Sequence, residues 1–245
     1  ITLSMLIIYI AYYLIFLICF PFLAILSLFR KSTNQNLIIQ TAKIGDYVNT
    51  SIMFDVLKST DIVIDKINYD FADNDGRIRQ IFIINKYKKK LLKKLQLGFV
   101  IFFKNYQNIY VVMPNSYNLF LGQMGFTINT RTLSTYADKW YSPILSFGIK
   151  KTKHTTENLT IDSYVKLINT HYSHIQFNKI IQHPIALPKN SHIKQNKFNV
   201  GISLTAGNKL KTIDLHTWQK IITILNDFDI NLYIFGTSDE TNIYN

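Results

Sequence analysis

The sequence has one cysteine, Cys19, among 245 residues. A single thiol excludes an internal disulfide framework and a thiolate zinc site, and it suits a reducing compartment. Acidic side chains are also few: 15 Asp and Glu against 27 Lys and Arg leave a formal net charge of +12. That imbalance points to anionic partners such as phospholipid, nucleotide phosphates, phosphorylated lipid or nucleic acid. The nucleic-acid class is the weakest of these, because no RNP-type, helix-turn-helix or zinc pattern accompanies the charge. His171 and His174 stand three apart at a helix end without an acid or thiol at ligand spacing, so no metal site is expected. No Ser-His-Asp arrangement follows from spacing, and no internal repeat of fixed period is visible.

Charge is missing altogether from residues 1–29, and the chain turns basic at Arg30-Lys31. An apolar run of that length exceeds the ~20 residues that cross a bilayer. It lacks the basic start and small-residue cleavage site of a signal peptide. Residues 1–30 are therefore expected to form one transmembrane anchor, with Pro21 kinking or ending its helix. An interfacial segment is the lesser alternative. Arg30, Lys31 and the basic remainder put the C-terminal part on the cytoplasmic side by the positive-inside rule. The chain begins with Ile rather than Met, so the anchor is expected to lack its true start.

Beyond a polar stretch, Leu37 to Thr50 reads as strand, tight turn and helix. Further strands are predicted over 61–65, 80–84, 109–113, 198–204 and 230–235, with a short one at 125–128. Helices are predicted over 86–96, 117–124, 159–172 and 214–227. Residues 130–158 have no clear period and are expected to hold a long loop. Pro184, Pro188 and the polar run to Lys197 read as an interdomain linker. Strands alternating with helices imply parallel βαβ units, hence an α/β fold in two parts, 37–188 and 198–245.

Four places carry candidate chemistry. In Lys43-Ile44-Gly45-Asp46, the glycine is expected where a Cβ would clash, and Asp46 falls at a helix N-terminus whose dipole favours its ionised form. It is either a general base beside a bound hydroxyl or a first-turn acid. Residues 205–211 pair small residues with Lys209 and Lys211 ahead of a helix: an anion cradle, or an ordinary loop with solvated lysines. This loop is neither a Walker A nor a GxGxxG motif. Residues 236–240 follow the next strand, where a carboxylate either meets ribose hydroxyls or starts a capped helix. Lys86, Lys88, Lys89, Lys90, Lys93 and Lys94, with Leu91, Leu92 and Leu95 as an apolar face, either meet anionic lipid or acceptor phosphates or form a solvated face.

Jointly these motifs resemble the ADP-heptose:lipopolysaccharide heptosyltransferase family. TAKIGDYVNT looks like that family's first βα turn, and VVMPNSYNLFLG (111–122) its strand ending in Leu-Pro-Asn-Ser. Gly125-Phe126 falls where the family has its Ile-Gly-Tyr/Phe strand. VGISLTAGNKLKTIDLHTWQKII (200–222) is similar to the strand and loop opening the second domain, with Lys211 seven residues before Trp218. LYIFGTSDE (232–240) resembles the next strand, with Glu240 four residues after Gly236.

The resemblance implies a GT-B glycosyltransferase of two Rossmann-like domains, the second incomplete, preceded by the membrane helix. It implies inverting sugar transfer without a metal or cofactor. By it Asp46 is the catalytic base, Lys211 holds the donor diphosphate, Glu240 contacts the nucleoside, and Gly207 and Asn208 lie against the phosphates. Lys43, Asn115 and Ser116 fall on the acceptor side. The donor is then ADP-heptose or another nucleotide sugar, and the acceptor a lipopolysaccharide core or other lipid-linked glycan at the bacterial inner membrane.

Three departures stand out: the added anchor, Ile213-Asp214 where the family has a large residue and a proline, and an end at Asn245 ahead of the family's Asp, Gly and His motif. GT-B enzymes need ~300 residues or more, so the chain is expected to be a fragment. The alternatives are a membrane-anchored, non-catalytic binding or scaffold protein on a degenerate transferase fold, and a basic nucleic-acid binder.

Overall fold

The computed structural model describes residues 2–31, 33–57, 59–134, 140–169, 171, 197–204 and 212–236. The chain divides into two compact units, Ile1–Ile185 and Ala186–Asn245.

The first unit begins with α1 (Thr2–Ser27), which continues through Pro21. Among the described residues it is the one helix long and apolar enough to cross a membrane. There follow β1 (Asn36–Gln40), α2 (Ile44–Thr50), α3 (Ile52–Val56), β2 (Thr60–Ile64), α4 (Tyr69–Asp73), β3 (Ile78–Ile83) and α5 (Leu91–Lys104). Then come β4 (Asn108–Val111), α6 (Ser116–Met124), β5 (Thr130–Ser134), α7 (Pro143–Ser146), β6 (Lys150–Lys153) and α8 (Thr160–Ile168). The strands form one six-stranded sheet in the order β3-β2-β1-β4-β5-β6, and every neighbouring pair is parallel.

A parallel sheet is covered on both faces, so its central strands read as unbroken apolar runs. Leu37-Ile38-Ile39 shows the consequence. Leu37 and Ile39 join Val63, Ile109 and Val111 on one face, under Leu97, Ile101 and Phe102 of α5 and Phe120 and Met124 of α6. Ile38 points the other way with Ile62, Ile64 and Tyr110, against Tyr47, Met53 and Phe54 of α2 and α3 and Tyr164 and Val165 of α8. Parallel register puts Ile38 opposite both Ile62 and Tyr110. The first of these cores also takes in Tyr12 and Leu23 of α1.

Among the described residues of this unit, the Asp61 carboxylate is fully buried. Asp61 accepts two hydrogen bonds from Arg79, at 2.8 and 2.6 Å, and one from the Tyr106 hydroxyl at 2.6 Å. Burial and that bond to Asp61 raise the Tyr106 hydroxyl well above its usual pKa.

Several local expectations are corrected. Residues 125–128 form a turn, not a strand. A Cβ on Gly125 would stand 2.0 Å from Ile109 Cδ1, and Phe126 has φ +52°, so the chain turns tightly beneath β4 and extends only from Thr130. The expected loop over 130–158 contains β5, α7 and β6. Its strands are short, and β6 is the lysine-rich edge strand KKTK, whose charges discourage pairing with another chain. The lysine-rich helix starts at Leu91, and its buried face is Leu97, Ile101 and Phe102, while Leu91 and Leu92 are exposed.

The second unit contains β7 (Phe198–Ser203), α9 (Leu215–Asn226) and β8 (Ile230–Phe235). The strands pair in parallel from Phe198↔Ile230 to Ser203↔Phe235. Asp214 caps α9, accepting from the Thr217 amide at 2.9 Å and its hydroxyl at 2.7 Å. Those bonds hold its carboxyl below the usual range. Trp218 Nε1 donates to the Leu204 carbonyl at 3.3 Å.

Candidate active site

In the first unit the strand order reverses between β1 and β4. Open parallel sheets bind ligands outside the C-terminal ends of their strands at such a switch point. The segments leaving β1 and β4 carry Lys43 and Asp46 on one side and Asn115 and Ser116 on the other.

Lys43 is the N-cap of α2, with extended backbone (φ −75°, ψ 175°) and no capping bond from its side chain. Asp46 lies in the first turn, where the helix dipole favours a negative charge. It is exposed, and its carboxylate makes no hydrogen bond or ion pair among the described residues. The Gly45 expectation is corrected: a Cβ there would meet nothing within 4 Å. The glycine leaves open space at the start of the helix and relieves no clash.

Buried side chains that were not singled out in the sequence fix the turn before Asp46. Gln40, only 1% exposed, accepts from the Ala42 amide at 2.8 Å. It donates to the Asp46 carbonyl at 3.2 Å and to Thr50 Oγ1 at 3.1 Å. Thr50 donates to the same carbonyl at 2.8 Å. Asn68 Nδ2 holds the Ala42 carbonyl at 2.9 Å, and Asn118 Nδ2 holds Thr41 Oγ1 at 2.7 Å. Tyr164 of α8 closes the network: burial first, then the charge of Asp46, push its hydroxyl up to about 12, partly offset by bonds with Gln40 and Thr50.

A cavity of about 380 Å³ opens at the same sheet edge, lined by Thr41, Asp65, Lys88, Lys94, Asn115 and Ser116 among others, with Ile8 and Tyr12 of α1 on its wall. Asn115 also caps α6, accepting from the Asn118 amide at 2.9 Å. Lys94 Nζ donates to the Tyr12 hydroxyl at 2.8 Å. It lies 5.4 and 5.5 Å from the Tyr12 and Tyr117 rings and has no carboxylate partner among the described residues. Lys88 pairs with Asp65 at 3.2 Å. Partial burial pushes the Asp65 carboxyl up, but the Ile67 amide, Lys88 and Asn85 outweigh it and hold the group below the ordinary range. Asn118, fully buried on the cavity wall, leaves its Oδ1 without a hydrogen-bond donor among the described residues. The cavity thus offers a lysine without a carboxylate partner among the described residues beside the side chains of Asn115 and Ser116, a set suited to an anionic ligand that also carries hydroxyls.

The structure therefore brings Asn115 and Ser116 into one cavity. Lys43 and Asp46 lie on the adjoining turn and do not line it. Lys211, Glu240, Gly207 and Asn208 lie outside the described residues, as does His174. Among the described residues no three His, Cys, Asp or Glu side chains come together as a metal site.

No protein-family model matches the chain, and no curated protein does. Solved structures do. The glycosyl transferase family 9 protein from Veillonella parvula is 13% identical, with TM-score 0.61 over 86% of this chain and 65% of that one. The E. coli ADP-heptose lps heptosyltransferase II is 12% identical, with TM-score 0.59 over 84% of this chain and 65% of that one. The E. coli heptosyltransferase WaaC with ADP-2-deoxy-2-fluoro heptose is 16% identical, with TM-score 0.58 over 84% of this chain and 70% of that one. The chain thus spans 65% of the length of the first two structures. These likenesses give it the GT-B fold of the proteins whose motifs it resembles.

Proposed function

We propose that the chain belongs to a glycosyltransferase that moves a heptose or similar sugar from a nucleotide-sugar donor to a lipopolysaccharide core or other lipid-linked glycan. The observation that carries this reading is the placement of Asp46. Its carboxylate is exposed and unpartnered in the first turn of α2, at the switch point of a GT-B sheet, on a turn tied down by Gln40, Asn68 and Asn118. The solved structure of similar fold that carries ADP-2-deoxy-2-fluoro heptose supports a nucleotide-sugar donor.

The chemistry is a displacement with inversion. Asp46 accepts the proton of the acceptor hydroxyl as that oxygen bonds to the anomeric carbon. The bond from the anomeric carbon to the diphosphate oxygen breaks, and the electron pair leaves with the nucleoside diphosphate. Lys211 offsets the charge that develops there. Gly207 and Asn208 border the phosphates, and Glu240 holds the nucleoside. No metal or cofactor takes part. Lys43, Asn115 and Ser116 face the acceptor, and Lys94 receives its anionic groups. The segment before Arg30 holds the enzyme at the bacterial inner membrane with the catalytic part cytoplasmic.

The test is nucleoside diphosphate release from ADP-heptose by the full-length protein. Asp46→Asn is expected to lower turnover roughly 10²–10⁴-fold, the usual share of a general base, with donor binding kept in a thermal-shift assay. Wild-type turnover in the variant would remove Asp46 as the base. Absence of donor binding in the wild type would favour the scaffold reading.

A further inference from the structure

The helix α1 has two faces, and the first unit occupies only one. On the inner face Tyr9 meets Tyr141 edge-on at 5.1 Å, and Tyr12 meets Tyr117 and Phe120 at 5.8 and 5.0 Å. Phe20 meets Phe126 at 5.4 Å, and Leu23 is fully buried. Beyond the helix end, Arg30 donates to the Phe102 and Phe126 carbonyls at 2.5 and 3.1 Å. On the outer face Ile7, Leu14, Ile18, Phe22 and Ile25 are all exposed, spaced by one or two helical turns.

These contacts conflict with a helix that stands across a bilayer. From Tyr9 to Leu23 they run roughly 21 Å at 1.5 Å per residue, against a hydrocarbon core about 30 Å thick. A crossing helix that kept them would draw the flank of the first unit into the hydrocarbon. With it would go Lys94, 2.8 Å from the Tyr12 hydroxyl, and Gln123 and Thr127, which line the cavity of about 220 Å³ beside Phe16. Cations and polar side chains at that depth are costly.

We propose that α1 lies in the plane of an anionic phospholipid surface, as a half-immersed rail. Its outer face sits among the acyl chains, and the first unit takes the place of the polar face that an in-plane helix normally carries. Charge complementarity selects the anionic surface. The chain has net charge +12, and its first acidic residue is Asp46. Lys94 stands beside Tyr12 near the middle of α1, next to the lysine-rich start of α5, and Arg30 and Lys31 follow the C-terminal end of α1. Trp140, 78% exposed, packs on Tyr141 at 5.5 Å next to Tyr9 and adds an interfacial aromatic. Since Ile8 and Tyr12 also wall the 380 Å³ cavity, an in-plane α1 sets that cavity at the level of the lipid headgroups.

The test needs no enzymatic activity, so it succeeds or fails separately from the transferase reading. In the full chain, Cys19→Ser removes the one native thiol. Met5→Cys, on the inner line of α1 one turn before Tyr9 and 46% exposed, and Lys31→Cys are then probed singly with a membrane-impermeant maleimide, in right-side-out and in inside-out vesicles. An in-plane helix labels at both positions in the same vesicle orientation. Labelling in opposite orientations shows a span and overturns the proposal, as does recovery of the unmodified chain in the soluble fraction. A second arm places a charge on the outer face. Ile18→Lys is expected to weaken partitioning to phosphatidylglycerol-containing vesicles roughly tenfold or more, with an unchanged circular dichroism spectrum. Wild-type partitioning of Ile18→Lys, or equal binding of the unmodified chain to pure phosphatidylcholine vesicles, would refute it.

Discussion

Gln40→Met tests whether the turn that carries Asp46 depends on one buried amide. Methionine keeps the length and most of the volume and removes every polar atom. The bond with the Tyr164 hydroxyl disappears, and with it Ala42 N–H to Oε1 at 2.8 Å, and Nε2 to the Asp46 carbonyl and to Thr50 Oγ1 at 3.2 and 3.1 Å. The Asp46 carbonyl keeps its bond from Thr50, so the main loss is the stranded Ala42 amide. An unsatisfied amide costs ~1–3 kcal/mol and each lost neutral bond ~0.5–1.5, which makes about 2 kcal/mol a fair lower figure. The loss is local, so hydrogen exchange is the right assay: 2 kcal/mol speeds exchange about thirtyfold for amides that open with the turn. Peptides covering 41–50 should show that change, while peptides covering β4 stay protected. Because Gln40 acts through Asp46, turnover should fall while donor binding holds. Unchanged protection of 41–50, or equal loss across the whole sheet, would refute the reasoning.

Two further outcomes concern the first unit alone. Asp61→Ala strands Arg79 and the Tyr106 hydroxyl, and breaking a buried pair of this kind costs ~3–5 kcal/mol; Arg79 is 35% exposed, so the lower end is expected in a urea titration, and a change under about 1 would mean that water solvates it freely. Tyr164 has its folded pKa raised to about 12, above the ordinary phenol value of 10, so the stability tied to its neutral form is whole below pH 10 and is lost as pH rises toward 12. Tyr164→Phe should therefore flatten the decline of stability over that window relative to wild type, and parallel declines in the two proteins would contradict it.

The sheet edge at the switch point is held by side chains from four separate segments. Gln40 grips the turn from β1, Asn68 from the stretch before α4, Asn118 from α6 and Tyr164 from α8. Each sits where the strands end and the backbone has no ladder partner, so its amides need side-chain donors and acceptors. Asn68 Oδ1 and Asn118 Oδ1 lack a donor of their own among the described residues.

This division explains what was legible in the sequence. Leu37-Ile38-Ile39 and Asp61 to Ile64 could be read as central strands because burial on both faces demands continuous apolar residues. Asp46 could be placed at a helix start because local turn chemistry and the helix dipole act over a few residues. Gln40, Asn68 and Asn118 could not be found that way, since their partners are two to 77 residues away and a polar residue at a strand end looks like any loop residue. The strand Lys150–Lys153 was illegible for the opposite reason: an edge position relaxes the apolar pattern by which strands are recognised. The anchor shows the limit of composition most sharply. An apolar helix reads alike whether lipid surrounds it or covers one side, and the contacts of Tyr9, Tyr12, Phe20 and Leu23 with the first unit are not legible in its composition.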